Sequence, residues 1–186
     1  MKDNKALNKK LMAILIAVYL VILIWIIVFK LGQYELLHIE DNLAKSLEER
    51  LFRYTYPFES LIKGAEFGFS IEYYCYPLNI ILLIPFGILF RFFFNNKATF
   101  LILFLFILGV EIFQLFTGMG GIDITDILFN VLGGVIGMLL YNKFRHKMSD
   151  STINKIVKIH LWIFAPVALF VIGYTIYTFP DLIKYF

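Results

Sequence analysis

A chain of 186 residues that is 60% hydrophobic, 18% aromatic and only 17% charged, with a mean hydropathy of +0.79, lies outside the range of soluble globular domains. A net charge of +3 is too small to mark a nucleic-acid binder, and the single cysteine, Cys75, excludes an intrachain disulfide and a zinc site built on two thiolates. At about 20 apolar residues per crossing, this length allows five or six spans and one sizeable loop, so residues 1–186 are expected to form one membrane domain.

Residues 11–29 are nineteen positions without a charge, preceded by Lys2, Lys5, Lys9 and Lys10. They predict the first transmembrane helix. A cleaved signal peptide has a shorter apolar run followed by small residues, whereas Lys30, Leu31, Gly32 and Gln33 follow here, so a retained anchor is expected.

The segment from 30 to 76 is more polar. Leu36, Ile39, Leu43, Leu47 and Leu51 recur at spacings of three and four with Glu40, Asp41, Lys45, Glu48 and Glu49 between them, which predicts an amphipathic helix on the membrane surface. From Phe52 to Tyr76 inclusive stand nine aromatic residues together with Pro57, Gly64 and Gly68, a composition that predicts an irregular segment seated at the membrane interface rather than a sixth span.

Four further apolar stretches follow. Residues 77–94 hold Asn79 near their start, Pro85 in the middle, where it removes a backbone donor and predicts a kink, and Arg91 near their end, where its long side chain can reach the headgroups. Residues 98–116 contain one charge, Glu111, and residues 122–141 contain Asp123 and Asp126. Residues 161–179 contain none. The predicted fold is thus all-α: a helical membrane bundle of about five spans plus the interfacial segment.

Basic residues near helix ends give the orientation. With five spans, eleven of the seventeen fall on one side: four in the first tail, Arg91 and Lys97 in the second connection, and Lys143, Arg145, Lys147, Lys155 and Lys158 in the last. That side is expected to be cytoplasmic, which places the N-terminus inside, the C-terminus outside, and segment 30–76 on the exterior.

An acidic residue at mid-bilayer costs roughly 2.5–3.5 kcal/mol on insertion scales, so Glu111, Asp123 and Asp126 require a reason for their positions. In this topology Glu111 lies roughly 7.5 Å below the outer end of its helix at 1.5 Å per residue, and Asn79, Gln114, Asp123, Asp126 and Asn130 fall in the same leaflet. Glu111 and Gln114 are separated by three residues, and Asp123, Asp126 and Asn130 stand at offsets zero, three and seven, so each set occupies one helix face. The face of the fourth helix continues as Gly133, Gly134 and Gly137, where the Gly133/Gly137 pair predicts close helix packing. Two readings stand side by side. These side chains could bond across helices only to hold the bundle, with Asp123 capping its helix. Alternatively, carboxylates with no basic residue beside them in the helices call for a cation, a proton or a polar ligand, and the six positions form a ligand-binding pocket.

The same residues carry a family likeness. Asn79-Ile-Ile-Leu-Leu-Ile-Pro85-Phe-Gly87, Glu111-Ile-Phe-Gln114 and Asp123-Ile-Thr-Asp126-Ile-Leu-Phe-Asn130-Val-Leu-Gly133-Gly134, with Pro57-Phe58 upstream, resemble in order the motif blocks of the VanZ family over about residues 54–141. The resemblance implies a bacterial cell-membrane protein, with some members associated with resistance to teicoplanin or related lipoglycopeptides. The family often has an arginine just before the first aspartate, where this chain has Met119-Gly120-Gly121-Ile122. A divalent cation between the carboxylates could take that arginine's place.

Three functions fit. The first is a non-enzymatic protein whose outer-leaflet pocket binds a membrane lipid headgroup, a cell-wall precursor or a glycopeptide. The second is an intramembrane hydrolase or transferase of envelope lipids in which Glu111 and Asp126 divide the acid and base roles. It lacks a His-Glu-x-x-His motif and a Gly-x-Ser-x-Gly elbow, and His38, His146 and His160 fall away from the cluster. The third, an ion or solute transporter, has no polar residue on the inner half of its path except Arg91. The non-enzymatic reading is preferred.

Overall fold

The computed structural model describes residues 2–29, 45–46, 72–118 and 122–183. The amphipathic run 36–51 lies outside the described residues apart from Lys45 and Ser46, and the aromatic segment from Phe52 lies outside them up to residue 71. Among the described residues there are five α-helices and no strand: α1 Lys2–Phe29, α2 Glu72–Arg91, α3 Asn96–Thr117, α4 Ile124–Phe144 and α5 Asp150–Ile183, with a 3-10 turn at Arg145–Lys147. Four contain spans long and apolar enough to cross a membrane, namely Lys9–Val28, Asn96–Thr117, Ile124–Lys147 and Asp150–Tyr177. The apolar part of α2, Tyr76–Arg91, is shorter. Its full 20 residues measure about 30 Å at 1.5 Å per residue, the thickness of a hydrocarbon core.

Local chemistry sets the helix ends. Asn95 adopts an extended conformation before α3 and its side chain accepts a hydrogen bond from the Ala98 N–H at 2.9 Å, while Gly118, at φ 73°, ends the helix in the left-handed region that glycine enters without strain. At α4 the Asp123 carboxylate accepts from the Thr125 N–H at 2.7 Å and its carbonyl from the Ile127 N–H at 3.1 Å.

Two boundaries differ from the expectation. Ser149 caps α5 by accepting from the Thr152 N–H at 3.1 Å, so the helix begins at Asp150 and Lys155 and Lys158 lie in its opening turns rather than in a connection. In this case a polar Ser-Asp-Ser-Thr cap outweighed the start of the apolar run as the boundary signal. At α2 the helix starts at Glu72 and remains helical through both Pro77 and Pro85, which places Asn79 about two turns inside it rather than at its head.

The chain divides into two compact units. One comprises residues 1–31 and 142–186, in which α1 packs along α5. Met12, Leu15 and Leu23 of α1 and Ile153, Val157, Ala168 and Val171 of α5 are buried, and Trp25 meets Tyr174 edge to face with ring centroids 6.3 Å apart.

The other unit comprises residues 32–141 and holds α2, α3 and nearly all of α4. Glycine makes its central contact. A Cβ on Gly133 would strike the carbonyl oxygen of Ile80, one on Gly137 that of Ile84, and one on Gly87 that of Gly134, so α2 and α4 touch backbone to backbone along this seam. Small residues permit such an approach, which is how helices gain contact in a solvent as apolar as their own side chains. Leu103 of α3 fills the space over Gly134, and Phe86 of α2 is fully buried between Phe90 and Phe106, with centroids 4.1 and 5.2 Å away. At the end of α2 the Arg91 guanidinium donates to the Phe94 carbonyl at 2.6 Å and to the Asn96 side chain, and lies 5.5 Å from the centre of the Tyr141 ring.

Candidate functional site

Three helices converge in the second unit with their polar residues at one end: the N-terminal half of α2, the last turns of α3 and the first turns of α4. This alignment follows from antiparallel succession, because α2 and α4 begin at the end where α3 finishes. All six positions that the sequence singles out lie in these three segments.

Glu111 and Gln114 are buried in α3, at 3% and 1% relative exposure, although the neighbouring Ile112, Phe113 and Phe116 on the other face are exposed. The period of three is therefore a true inward stripe. On α4, Asp123, Asp126 and Asn130 are buried as well, on the helix that carries the Gly133/Gly137 seam. Asn79 of α2 is half-buried.

Hydrogen bonds join the elements here. The Asn79 side-chain amide donates to an Asp126 carboxylate oxygen at 2.9 Å, which joins α2 to α4. A Glu111 carboxylate oxygen accepts from the Asp123 N–H at 3.2 Å, which ties α3 to the first residue before α4. The second bond satisfies a backbone donor that a helix start leaves without an intrahelical partner. Asp123 thus holds its helix start from both sides, taking the Thr125 N–H on its carboxylate while giving its own N–H to Glu111.

Asn130 differs from the other five. It is 3% exposed and its Oδ1 is fully buried without a hydrogen-bond partner. It sits four residues after Asp126, hence on the same helix face and one turn deeper. An unpaired buried amide oxygen costs about 1–3 kcal/mol, so it marks a position where a donor is wanted.

Thr125 is a member of this layer that side-chain reading passed over; it is completely buried beside Asp126. Its signal was available, since Asp123-Ile-Thr is an Asp N-cap with its second following residue, the N–H that such a cap accepts. Tyr76, buried and 5.3 Å from Phe129 between ring centroids, closes the same side of α2 and α4 and carried no spacing signal. Among the described residues no group of three His, Cys, Asp or Glu side chains could hold a metal ion.

Residues 16–145 match the VanZ/LLP1 family. Protein VanZ of Enterococcus faecium is 33% identical over 147 residues, covering 77% of this chain and 81% of that protein. The family match reaches back through the second half of α1, further than the motif blocks at 79–87, 111–114 and 123–134, and ends just after α4, so α5 lies beyond it. No solved structure matches the chain.

Proposed function

The chain belongs to the VanZ/LLP1 family, and from that membership we propose that it is a bacterial membrane protein whose polar cluster binds an envelope ligand and so contributes to resistance to teicoplanin or related lipoglycopeptides. The ligand is a lipid headgroup, a cell-wall precursor or the glycopeptide itself, and its occupancy lowers the access of the drug to its target. The protein is non-enzymatic in this reading. The observation that supports it most directly is the burial, at one end of α3 and α4, of three acidic and two amide side chains beside the half-buried Asn79, with the Asn130 carbonyl oxygen unsatisfied. A buried acceptor left unpaired within a polar cluster calls for an explanation, and a bound ligand supplies one.

The cluster faces the exterior leaflet, with the N-terminus cytoplasmic and the C-terminus outside. The bias of eleven basic residues to the opposite side supports that orientation. The decisive experiment is teicoplanin susceptibility of a Gram-positive host expressing the chain or its Glu111→Gln and Asp126→Asn variants at matched membrane levels. Both amides can still accept the bonds that Asp123 N–H and Asn79 supply, so they remove charge while sparing the packing. Loss of protection with an unchanged melting temperature is the expected result. Full protection by both variants would overturn the reading.

A further inference from the structure

The excess positive charge of the chain is concentrated where α4 passes into α5. Between Asn142 and His160 stand Lys143, Arg145, Lys147, Lys155 and Lys158 against a single acid, Asp150. Five charges against one leave a net +4, more than the +3 of the whole chain. Arg145 and Asp150 neutralise each other: the guanidinium donates to the Asp150 carboxylate at 3.1 Å and to the Met148 carbonyl at 3.3 Å, which closes the turn between the helices. The four lysines are exposed and make no ion pair among the described residues.

Their level in the membrane follows from the spans on either side. The short turn Arg145–Lys147 brings the end of one span and the start of the next to the same membrane face. The apolar run of α4 ends at Tyr141 and that of α5 begins at Leu161, so the four lysines fall in the headgroup layer. Large apolar side chains are exposed among them, namely Phe144, Ile159 and Trp162, the last at 82%. The ammonium groups of Lys143 and Lys147 lie 5.5 and 6.0 Å from the centre of the Phe144 ring. Trp162 follows Lys155 by seven residues and Lys158 by four, which puts all three on one face of α5, and tryptophan is enriched at the boundary between headgroups and acyl chains.

Basic residues beside a span can serve topology alone, but topology asks nothing of the exposed rings among them. A soluble polyanion would match the lysines and leave the rings in water. A lipid with a negative headgroup matches both. We propose that the connection between α4 and α5 is a binding surface for anionic phospholipid, whose headgroups are held by Lys143, Lys147, Lys155 and Lys158 while Phe144 and Trp162 rest against the acyl boundary. The polar cluster of α2, α3 and α4 plays no part in it.

The test uses the full chain with Trp25→Phe, which leaves Trp162 as its one tryptophan, in bilayers of phosphatidylcholine with increasing phosphatidylglycerol. Bromine on the acyl chains of one lipid or the other quenches tryptophan at short range and so reports which lipid sits beside Trp162. Phosphatidylglycerol should be preferred there by about tenfold or more, and each of Lys143→Gln, Lys147→Gln, Lys155→Gln and Lys158→Gln should lower the preference by up to about fivefold, the usual gain from one basic residue at an anionic surface. Raising the salt concentration should weaken the preference of the chain with all four lysines in place. Lys9→Gln with Lys10→Gln removes two exposed charges from the first tail and should leave the preference unchanged. Quenching by both lipids in simple proportion to their mole fractions would overturn the assignment. So would a preference that the Lys9 and Lys10 pair of changes lowers as much as Lys155→Gln with Lys158→Gln does, since the lysines would then act as diffuse charge. If the glutamine variants do not fold, the salt series decides, because a preference that salt leaves unmoved does not come from the lysines.

Discussion

Asn79 and Asp126, separated by 47 residues, are joined by a hydrogen bond of 2.9 Å from amide to carboxylate. The bond fixes the level of α2 against α4 at the polar end, while Gly133 and Gly137 fix it about two and three turns further along α4. Removing its donor leaves the carboxylate short of a partner inside the membrane. Asn79→Leu should therefore lower stability by about 1.5–3 kcal/mol, the usual range for a bond to a charged group. In the Asp126→Asn background the same change should cost measurably less. Melting of the four proteins in one detergent forms the cycle, and equal costs in both backgrounds would mean the pair is not coupled.

Along the seam, substitutions should rank by what stands opposite. Gly137→Ala and Gly133→Ala drive a methyl into the backbone of Ile84 and Ile80, which cannot yield, and should cost at least about 1–3 kcal/mol. Gly134→Ala meets only the Leu103 side chain and should cost less. Gly109, with nothing within 4 Å of a Cβ, is the control; there alanine should be neutral or stabilising by up to about 1 kcal/mol, as helix propensity dictates. Thermal melts in detergent give the order directly, and a Gly109→Ala loss as large as that of Gly137→Ala would contradict it.

Asp123 separates capping from charge. Asp123→Asn keeps an oxygen for the Thr125 N–H and should retain most of the stability, whereas Asp123→Ala should lose about 0.5–2 kcal/mol. Resistance should follow stability across this pair, in contrast to Glu111→Gln and Asp126→Asn, where it should be lost without a change in melting.

Orientation is open to cysteine labelling with Cys75 replaced by serine. Lys5→Cys and Lys155→Cys should be shielded from an impermeant thiol reagent in whole cells, and Glu49→Cys should react. Lys155 is exposed in the second turn of α5, so its protection would report the membrane rather than burial. Labelling at 155 would reverse the sidedness proposed for the cluster.

The sequence alone determined the all-helical membrane class and the number of apolar helices, because each crossing needs an unbroken apolar run of nearly fixed length. It also determined which polar residues share a face within α3 and within α4, since a helix has one period, and the Gly133/Gly137 contact followed from the same rule. Pairings between helices were decided only in three dimensions. Depth places Glu111 and Asp126 in one layer, but only the fold shows that Glu111 accepts from the backbone of Asp123 and Asp126 from the Asn79 amide. Asn79 could reach Asp126 from two turns inside α2, and not from its head, because the axial offset of α2 against α4 is set by where the Gly87, Gly133 and Gly137 backbones meet. A one-dimensional spacing carries the phase of a residue around its own helix but not the shift of one helix along another, and that shift leaves Asn130 as the one residue of the cluster with a buried oxygen and no donor.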